Sequence, residues 1–250
     1  MEYPMSDIVL GVLGGMGPLA SAEFMRQLTL LTPAERDQDH IPTVLWSDPR
    51  VPDRTLARLH GGEDPLPALL RGLRGLEAAG CGVIVIPCNT AHGWFGCLQQ
   101  QSSVPILHIV QAAREQLEVQ GIEPGPVGLM GTQATLDMGL YQQGIGRECI
   151  VADADMMKRL VSPGIALVKA NRVQDAYAPL AEAAGQLRAK GACAVVLGCT
   201  EIPLGISAGP RLDFPVIDTV AALALASLRF IRSGDARVKV PTEPIAGSVG

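Results

Sequence analysis

Short apolar runs alternate with longer amphipathic stretches along this chain. Each run is rich in Val, Ile and Leu and has the length of a strand that is buried on both faces, as in a parallel sheet. Strands are predicted at 8–13, 43–46, 83–86, 106–109, 127–130, 194–197 and 216–217. Helical patterns lie between them, most clearly at 66–79, 110–120 and 178–190. This alternation predicts an α/β protein with parallel sheets that are flanked by helices on both faces.

Two of the apolar runs belong to a repeated phrase, "GVIVIPCNTA" at 82–91 and "CAVVLGCTEI" at 193–202. The same spacing separates Gly80 from Gly191 and Cys88 from Cys199. A further pair follows, "VPILHIVQAA" and "FPVIDTVAAL", and "GVLGGMG" has a looser echo in "GLMGTQA". We therefore expect two similar α/β domains. The first is predicted at 1–102 plus 214–250 and carries Cys88, and the second is predicted at 103–213 and carries Cys199.

Composition narrows the class of protein. The chain has 250 residues, 48% of them hydrophobic, so it can bury a sizeable core and is not a disordered chain. Its formal net charge is −5 with no block of Lys or Arg, which argues against a nucleic-acid partner. No apolar run is long enough for a membrane span and no signal pattern opens the chain, so we expect a cytoplasmic protein. The segment after Arg232 is expected to be loosely structured.

Cys88 and Cys199 each lie where an apolar run gives way to polar residues. In a parallel sheet this is the carboxyl end of a strand, where ligands of open α/β sheets bind, and the helix that follows favours an anion such as a thiolate. A single cysteine of this kind is often a buried packing residue, whereas a matched pair favours catalysis. A thiolate on one face of a stereocentre and a thiol on the other face would invert it.

The remaining cysteines and the histidines carry weaker signals. Cys81, Cys97, Cys149 and Cys193 lack the context of the matched pair and are interpreted as packing residues. The histidines show no metal-ligand spacing with one another or with the cysteines, so no metal site is predicted. His92 follows Cys88 closely, and core, capping and functional roles are all open for it.

The glycine-rich loop "GGMGPLA" follows the first predicted strand. Its Gly15-x-Gly17-x-x-Ala20 spacing fits the loose form of a dinucleotide-binding fingerprint. That fingerprint expects an acidic residue at the end of the second strand, but Asp37 and Asp39 precede this strand. We therefore interpret the loop as an anion cradle for a small substrate, with donors from Gly15 to Gly17, and not as an NAD site.

Five motifs occur in order along nearly the whole chain: "GVLGGMGPLAS", "VPDRT" followed by "GGEDP", "PCNTAH", "GTQAT" and "GCTEIP". In order and spacing they resemble the cofactor-independent aspartate/glutamate racemases, and within them the aspartate racemase type. The resemblance implies two similar α/β domains related by a pseudo-twofold axis, with the active site between them. It also implies racemisation of a small-molecule amino acid, aspartate or glutamate, without pyridoxal phosphate or any other cofactor, and a homodimer.

The resemblance implies roles for individual residues as well. Cys88 and Cys199 match the catalytic pair. Arg54 and Lys169 match the cations for the side-chain carboxylate of the substrate, while Asp48 departs from the pattern and argues against a strict aspartate preference. The residues expected to bind the substrate are Met16, Gly17, Asp53, Arg54, Asn89, Thr90, Thr132, Thr135, Lys169, Thr200 and Glu201.

Two alternatives stay open. Another isomerase, a decarboxylase or a hydantoin racemase of the same superfamily would keep the fold and use one or both cysteines. A binding protein would hold an acidic amino acid without turning it over. The presence of both cysteines together with "VPDRT" favours racemisation, because single-base decarboxylation needs only one thiol.

Overall fold

In the computed structural model, which describes residues 8–233, parallel β-strands form two sheets covered by helices. The first half contains β1 (Val9–Gly14), α1 (Pro18–Leu31), β2 (Thr43–Ser47), α2 (Arg54–His60), α3 (Leu66–Ala78), β3 (Cys81–Val85), α4 (Phe95–Gln101), β4 (Ile106–Leu107) and α5 (Ile109–Val119). The second half contains β5 (Val127–Gly131), α6 (Gln133–Asp137), α7 (Leu140–Gly144), β6 (Cys149–Val151), α8 (Ala154–Met156), α9 (Ser162–Lys169), α10 (Val173–Ala189), β7 (Ala194–Gly198), α11 (Ile202–Ser207), β8 (Val216–Asp218) and α12 (Thr219–Ser233). Short 3-10 turns occur at Asp37–Asp39 and Thr90–Trp94, and a π-helical turn at Met157–Val161 joins α8 to α9.

The two sheets have the same strand order, β2-β1-β3-β4 and β6-β5-β7-β8, and every adjacent pair is parallel. The predicted α/β fold of two similar halves is confirmed. β3 and β7, which precede the two matched cysteines, occupy the same position in their sheets. Gly80 and Gly191 both have a left-handed backbone, with φ of 81° and 100°, just before these strands. The sequence repeat is therefore a structural repeat.

Burial explains why the strands appear as unbroken apolar runs. β5 and β7 are buried at every residue, because helices cover both faces of a parallel sheet. In the first sheet, Leu10 and Val12 belong to a large core that continues into the second half, whereas Leu13 and Ile84 belong to a smaller core beneath α3. The central strands of both sheets are thus held on two sides.

The edge strands β4 and β8 each belong to one half of the protein, and the helix directly after each of them contacts the other half. β4 pairs with β3 in the first sheet, but α5 directly after it packs against β8 and α7 of the second half. β8 pairs with β7 in the second sheet, but α12 directly after it packs against α1 and β4. The chain therefore crosses over after each edge strand and not before it. β4 lies in the predicted second domain but pairs with the first sheet, and β8 lies in the predicted first domain but pairs with the second sheet. The domain boundaries themselves stay a prediction.

Some predicted elements differ from the structure at their ends. The strand predicted at 106–109 stops at Leu107, because the His108 side chain caps α5 by accepting the Val110 N–H at 3.2 Å. The helix predicted at 178–190 begins earlier, at Val173, and contains Pro179 in its interior. The short strand β6 was not predicted, since it contributes only Cys149–Val151 at a sheet edge.

Other expectations concern absences and the cysteines. Within residues 8–233 no helix is long and apolar enough to cross a membrane, and no three His, Cys, Asp or Glu side chains cluster as metal ligands would. The loose segment predicted after Arg232 lies outside the described residues, except for its first residue, Ser233, which ends α12. Cys81 is buried, and this burial raises the pKa of its thiol, as expected of a packing residue. Cys97 is exposed on α4, so the packing interpretation of Cys97 is wrong.

Candidate active site

A single cavity brings together the loops that follow the central strands of both sheets. It contains about 280 Å³ of empty space, counted out to its open mouth. Its lining residues are Met16, Asp53, Arg54, Thr55, Cys88, Asn89, Thr90, Thr132, Lys169, Cys199, Thr200 and Glu201. The carboxyl ends of β1, β3, β5 and β7 all contribute to this lining, as is usual for ligand sites in α/β sheets.

The cavity contains all of the predicted site residues except Gly17 and Thr135, and both of these lie directly behind its wall. A Cβ on Gly17 would come within 3.2 Å of Glu201 Oε1, and Thr135 Oγ1 is 3.1 Å from Thr90 Oγ1. Thr55 lines the cavity but was missed from the sequence, although it belongs to the "VPDRT" motif.

Cys88 lies in the turn between β3 and a 3-10 helix, and only 4% of it is exposed. His92 fixes this turn. Its Nε2 accepts the Ile109 N–H at 3.1 Å, so the neutral ring carries its proton on Nδ1, which donates to the Cys88 carbonyl at 2.9 Å. Burial lowers the pKa of His92 to about 4, so the ring is neutral at physiological pH. His92 therefore positions the Cys88 turn and does not line the cavity.

Cys199 follows β7 directly and donates its S–H to Glu201 Oε2 at 3.0 Å. Burial raises the pKa of the Cys199 thiol well above its usual range, and the negative charge of Glu201 and the hydrogen bond to it raise the pKa further. The charge of Lys169 acts in the opposite direction but does not reverse the shift. Cys199 therefore holds a proton at rest, with Glu201 as the acceptor of its hydrogen bond.

Three threonine hydroxyls form a triangle on the wall between the Cys88 turn and the N-terminus of α6. Thr90 Oγ1 is 2.9 Å from Thr132 Oγ1 and 3.1 Å from Thr135 Oγ1, and the last two are 2.9 Å apart. Thr132 also caps α6 by accepting the Thr135 N–H at 3.2 Å. Because hydroxyls can rotate, this group can turn its donors toward an anion in the cavity.

Arg54 lies at the mouth of the cavity and is hydrogen-bonded to backbone carbonyls. Arg54 Nη1 donates to the carbonyls of Val51 and Pro52 at 3.1 and 3.0 Å, and Nη2 donates to the Met16 carbonyl at 3.3 Å. The Arg54 Nε is buried without a partner in the described structure. The guanidinium thus ties the glycine loop to the segment before α2, and most of its donors are already used.

Two acids and one lysine complete the mouth. Asp53 caps α2 through the amides of Thr55 and Leu56, at 2.7 and 2.8 Å. Partial burial raises its pKa, but the Leu56 and Thr55 amides and the charges of Lys169 and Arg54 together outweigh burial, so the pKa of Asp53 is lowered. Asp48 pairs with Arg50 at 2.8 Å and does not line the cavity. Lys169, at the exposed end of α9, lines the cavity and makes none of the ion pairs found within residues 8–233.

The glycine loop is more closed than a free anion cradle. The Gly15 N–H donates to Ser21 Oγ at 2.8 Å, and this hydroxyl donates to the Gly17 carbonyl at 2.9 Å. Gly15 has φ of 91°, and a Cβ there would lie 2.4 Å from the backbone of Asp48. Its amide is therefore committed to the loop itself, and Met16 is the residue of this loop that lines the cavity.

Comparison with known proteins agrees with the motifs. Residues 13–226 match the model of the Asp/Glu/Hydantoin racemase family, so the chain belongs to this family, and it is an isomerase of the cofactor-independent amino-acid racemase type. The broad specificity amino-acid racemase RacX of Bacillus subtilis is 28% identical to it over 233 residues, which are 88% of this chain and 96% of RacX. The resemblance found in the sequence is confirmed.

Solved structures place the fold in the same family. The aspartate racemase of Picrophilus torridus has 32% sequence identity to this chain and a TM-score of 0.78, and the match covers 89% of this chain and 93% of that one. The glutamate racemase of Francisella tularensis, solved in complex with D-glutamate, matches with a TM-score of 0.60 over 94% of this chain and 84% of that one. Its sequence identity is 19%, so this second likeness concerns the fold alone.

Proposed function

We propose that this protein interconverts the L- and D-forms of aspartate or glutamate by two-base proton transfer at the α-carbon, with Cys88 and Cys199 acting on opposite faces. The observation that carries the proposal is the shared cavity: the thiols follow equivalent strands of two sheets with the same strand order, and both line it. A cavity lined from both halves can hold a small amino acid between two proton-transfer groups.

The protonation of Cys199 supports a division of labour between the thiols. With Cys199 protonated at rest, its S–H delivers a proton to one face of the carbanion, and Cys88 removes the α-proton from the opposite face. The product complex then has the thiol at Cys88 and the thiolate at Cys199, which is the arrangement that the reverse reaction needs. The enzyme resets when Cys88 loses its proton to solvent and Cys199 regains one, after which the Cys199 S–H again donates to Glu201.

The α-carboxylate of the substrate is assigned to the threonine triangle. Thr90 and Thr132 of this triangle line the cavity beside Cys88, and their hydroxyls carry no competing negative charge. Binding of the carboxylate there leaves the α-carbon between the thiols.

The side-chain carboxylate is assigned to Lys169. Lys169 lines the cavity, and its positive charge acts on both Asp53 and Cys199. Arg54 supplies positive charge, but backbone carbonyls use three of its five N–H donors, and its unpaired Nε is buried. Among the two cations predicted for this role, the lysine is thus the better candidate.

A broader range of amino acids is the second candidate substrate class, and a specific observation favours it. Asp53 lines the cavity and keeps a lowered pKa, so it opposes a second negative charge on the substrate. Neutral amino acids avoid this repulsion and do not need Lys169. The nature of RacX, a broad specificity amino-acid racemase, is consistent with this alternative.

The test is a panel of L- and D-amino acids incubated in heavy water with protein dialysed against EDTA and given no cofactor. We expect inversion of aspartate or glutamate with uptake of deuterium at the α-carbon, read by chiral chromatography and mass spectrometry. Cys88→Ala and Cys199→Ala should each abolish inversion in both directions, whereas Cys193→Ala should leave it unchanged. Near-normal inversion by Cys199→Ala would contradict the two-base scheme.

The same panel separates the alternatives. Loss of carbon dioxide would indicate a decarboxylase, inversion of a hydantoin a hydantoin racemase, and saturable binding without deuterium uptake a binding protein. Activity that is lost on dialysis and restored only by pyridoxal phosphate or a divalent metal would contradict cofactor independence. The homodimer implied by the sequence stays a prediction, which light scattering after size exclusion would check.

A further inference from the structure

A buried side-chain network connects the two cysteine turns behind the cavity. The Tyr141 hydroxyl donates to Asn89 Oδ1, Asn89 Nδ2 donates to Thr219 Oγ1 at 3.1 Å, and the Thr219 hydroxyl donates to the Leu197 carbonyl at 2.9 Å. Asn89 directly follows Cys88, and Leu197 lies two residues before Cys199. Asn89 is 2% exposed, and Tyr141 and Thr219 are fully buried.

The hydrogen bonds in this network run in one direction. Because Thr219 uses its only proton on the Leu197 carbonyl, it must accept from the Asn89 amide nitrogen, and the Asn89 oxygen must then accept from Tyr141. Each member therefore fixes the next, and the last contact is to the backbone of β7. Buried networks of this kind hold one arrangement, since a lost partner leaves an unpaired group in the core.

Tyr141 also touches the second cysteine turn through its ring. A Cβ on Gly198 would lie 3.1 Å from Tyr141 Cε2, so the ring packs directly on the residue that precedes Cys199. One side chain thus contacts the neighbour of each thiol, with its hydroxyl on Asn89 and its ring on Gly198. Burial raises the pKa of the Tyr141 phenol far above its usual range, so it remains a hydrogen-bond donor and does not exchange protons with the substrate.

We infer that Tyr141 and Thr219 are positioning residues that set the separation of the Cys88 and Cys199 turns, and through it the geometry of both proton transfers. The inference rests on the two-base function proposed above. Neither residue lines the cavity, and neither was singled out in the sequence. Asn89 links them to the site, and the second hydrogen of its amide nitrogen remains for the substrate.

Two variants remove one hydroxyl each and keep the shape of the side chain, Tyr141→Phe and Thr219→Val. We expect each to lower kcat by about 10- to 100-fold in both directions with KM changed by less than about threefold, since a misplaced group costs rate when substrate contacts persist. The isotope effect with α-deuterated substrate should rise, because proton transfer becomes slower than product release. Thr219→Ser keeps the hydroxyl and should restore kcat to within about threefold of wild type.

The chain offers matched controls. Tyr177→Phe removes a hydroxyl that donates to the Pro210 carbonyl at 2.8 Å, and Thr32→Val removes one that donates to the Leu28 carbonyl at 2.6 Å, both outside the cavity. These variants should have wild-type kcat even where their melting temperatures fall. If Tyr141→Phe and Thr219→Val keep wild-type kcat, or if KM rises in parallel with the loss, the positioning role is wrong.

A second measurement does not depend on turnover. Dibromobimane bridges two neighbouring thiols, and mass spectrometry of the bridged peptides identifies a Cys88–Cys199 product. We expect bridging in the wild type and a rate lowered by about fivefold or more in Tyr141→Phe, because bridging requires a defined separation of the thiols. Equal bridging rates in both proteins would overturn the inference. If the wild type inverts no amino acid, the proposed function fails, and the bridging result alone decides the positioning role.

Discussion

Protonation of His92 should destabilise the protein as the pH falls, and the effect can be worked out from its two hydrogen bonds. The neutral ring accepts from Ile109 N–H and donates to the Cys88 carbonyl. A second proton would place a donor on Nε2 against the Ile109 N–H in a site that is 3% exposed. Burial is the main reason that the pKa of this histidine falls to about 4, from its usual value of 6.5.

The sign follows from the direction of the shift. Since the folded-state pKa is lower than the unfolded-state pKa, the unfolded chain binds the proton first, and stability is lost as the pH falls from about 6.5 toward about 4. Between pH 7.5 and pH 4.5 this one group should cost the wild type about 2.5 kcal/mol of unfolding free energy. Asp218 acts in the opposite direction, since burial raises its pKa to about 6, so the wild type alone would not isolate His92.

His92→Gln provides the isolating comparison, because glutamine does not titrate and can still accept from Ile109 N–H. At pH 7.5 the variant should be about 1–2 kcal/mol less stable than wild type, through loss of the bond to the Cys88 carbonyl. By pH 4.5 this deficit should have shrunk by about 2.5 kcal/mol, so that the variant equals or exceeds wild type. Asp218 is present in both proteins, so its contribution cancels in the difference. The pKa of the buried His108 is lowered mainly by burial and further by the charge of His92, so only the part due to burial cancels.

Urea unfolding at several pH values, under reducing conditions, measures this difference as a change in midpoint at constant m. His60→Gln, at an exposed histidine at the end of α2, is the control and should have the pH dependence of wild type. A stability difference between His92→Gln and wild type that is the same at pH 7.5 and pH 4.5 would refute the reasoning.

Three further substitutions test the mouth of the cavity and the glycine loop. Lys169→Ala should lower kcat/KM for aspartate and glutamate by about tenfold and leave alanine and serine unaffected, since it removes a charge-assisted contact to the side-chain carboxylate. Equal losses on all four amino acids would show that Lys169 has no part in specificity. Arg54→Lys should lower kcat/KM by about 30-fold for every substrate alike, because the guanidinium that binds three backbone carbonyls is lost. A loss confined to acidic substrates would instead assign Arg54 to the side-chain carboxylate. Gly15→Ala should lower the free energy of unfolding in urea by about 2–4 kcal/mol, because the φ of 91° at Gly15 and its approach to the Asp48 backbone leave no room for a Cβ. A decrease below about 1 kcal/mol would contradict this reasoning.

Much of the fold could be predicted from the sequence because it depends on local patterns. Strands that are buried on both faces must be apolar throughout, so β5 and β7 are visible as runs, and the repeated glycine-to-cysteine spacing indicates two similar halves. The thiols at the ends of β3 and β7 were found for the same reason, since an apolar strand followed by short polar residues marks the edge of a sheet where ligands bind. These features need no knowledge of which distant segments meet.

The remaining features depend on contacts between distant parts of the chain. No local pattern indicates that Tyr141 reaches Asn89, that Arg54 spends its donors on backbone carbonyls, or that His92 joins the Cys88 turn to α5. The same is true of the crossing after each edge strand, because β4 and β8 are too short for their own residues to specify a sheet. Hydrogen-bond partners of buried polar groups are chosen by the packed fold as a whole, so only the tertiary structure decided how the two thiol turns are held and which charges at the mouth remain open to a substrate.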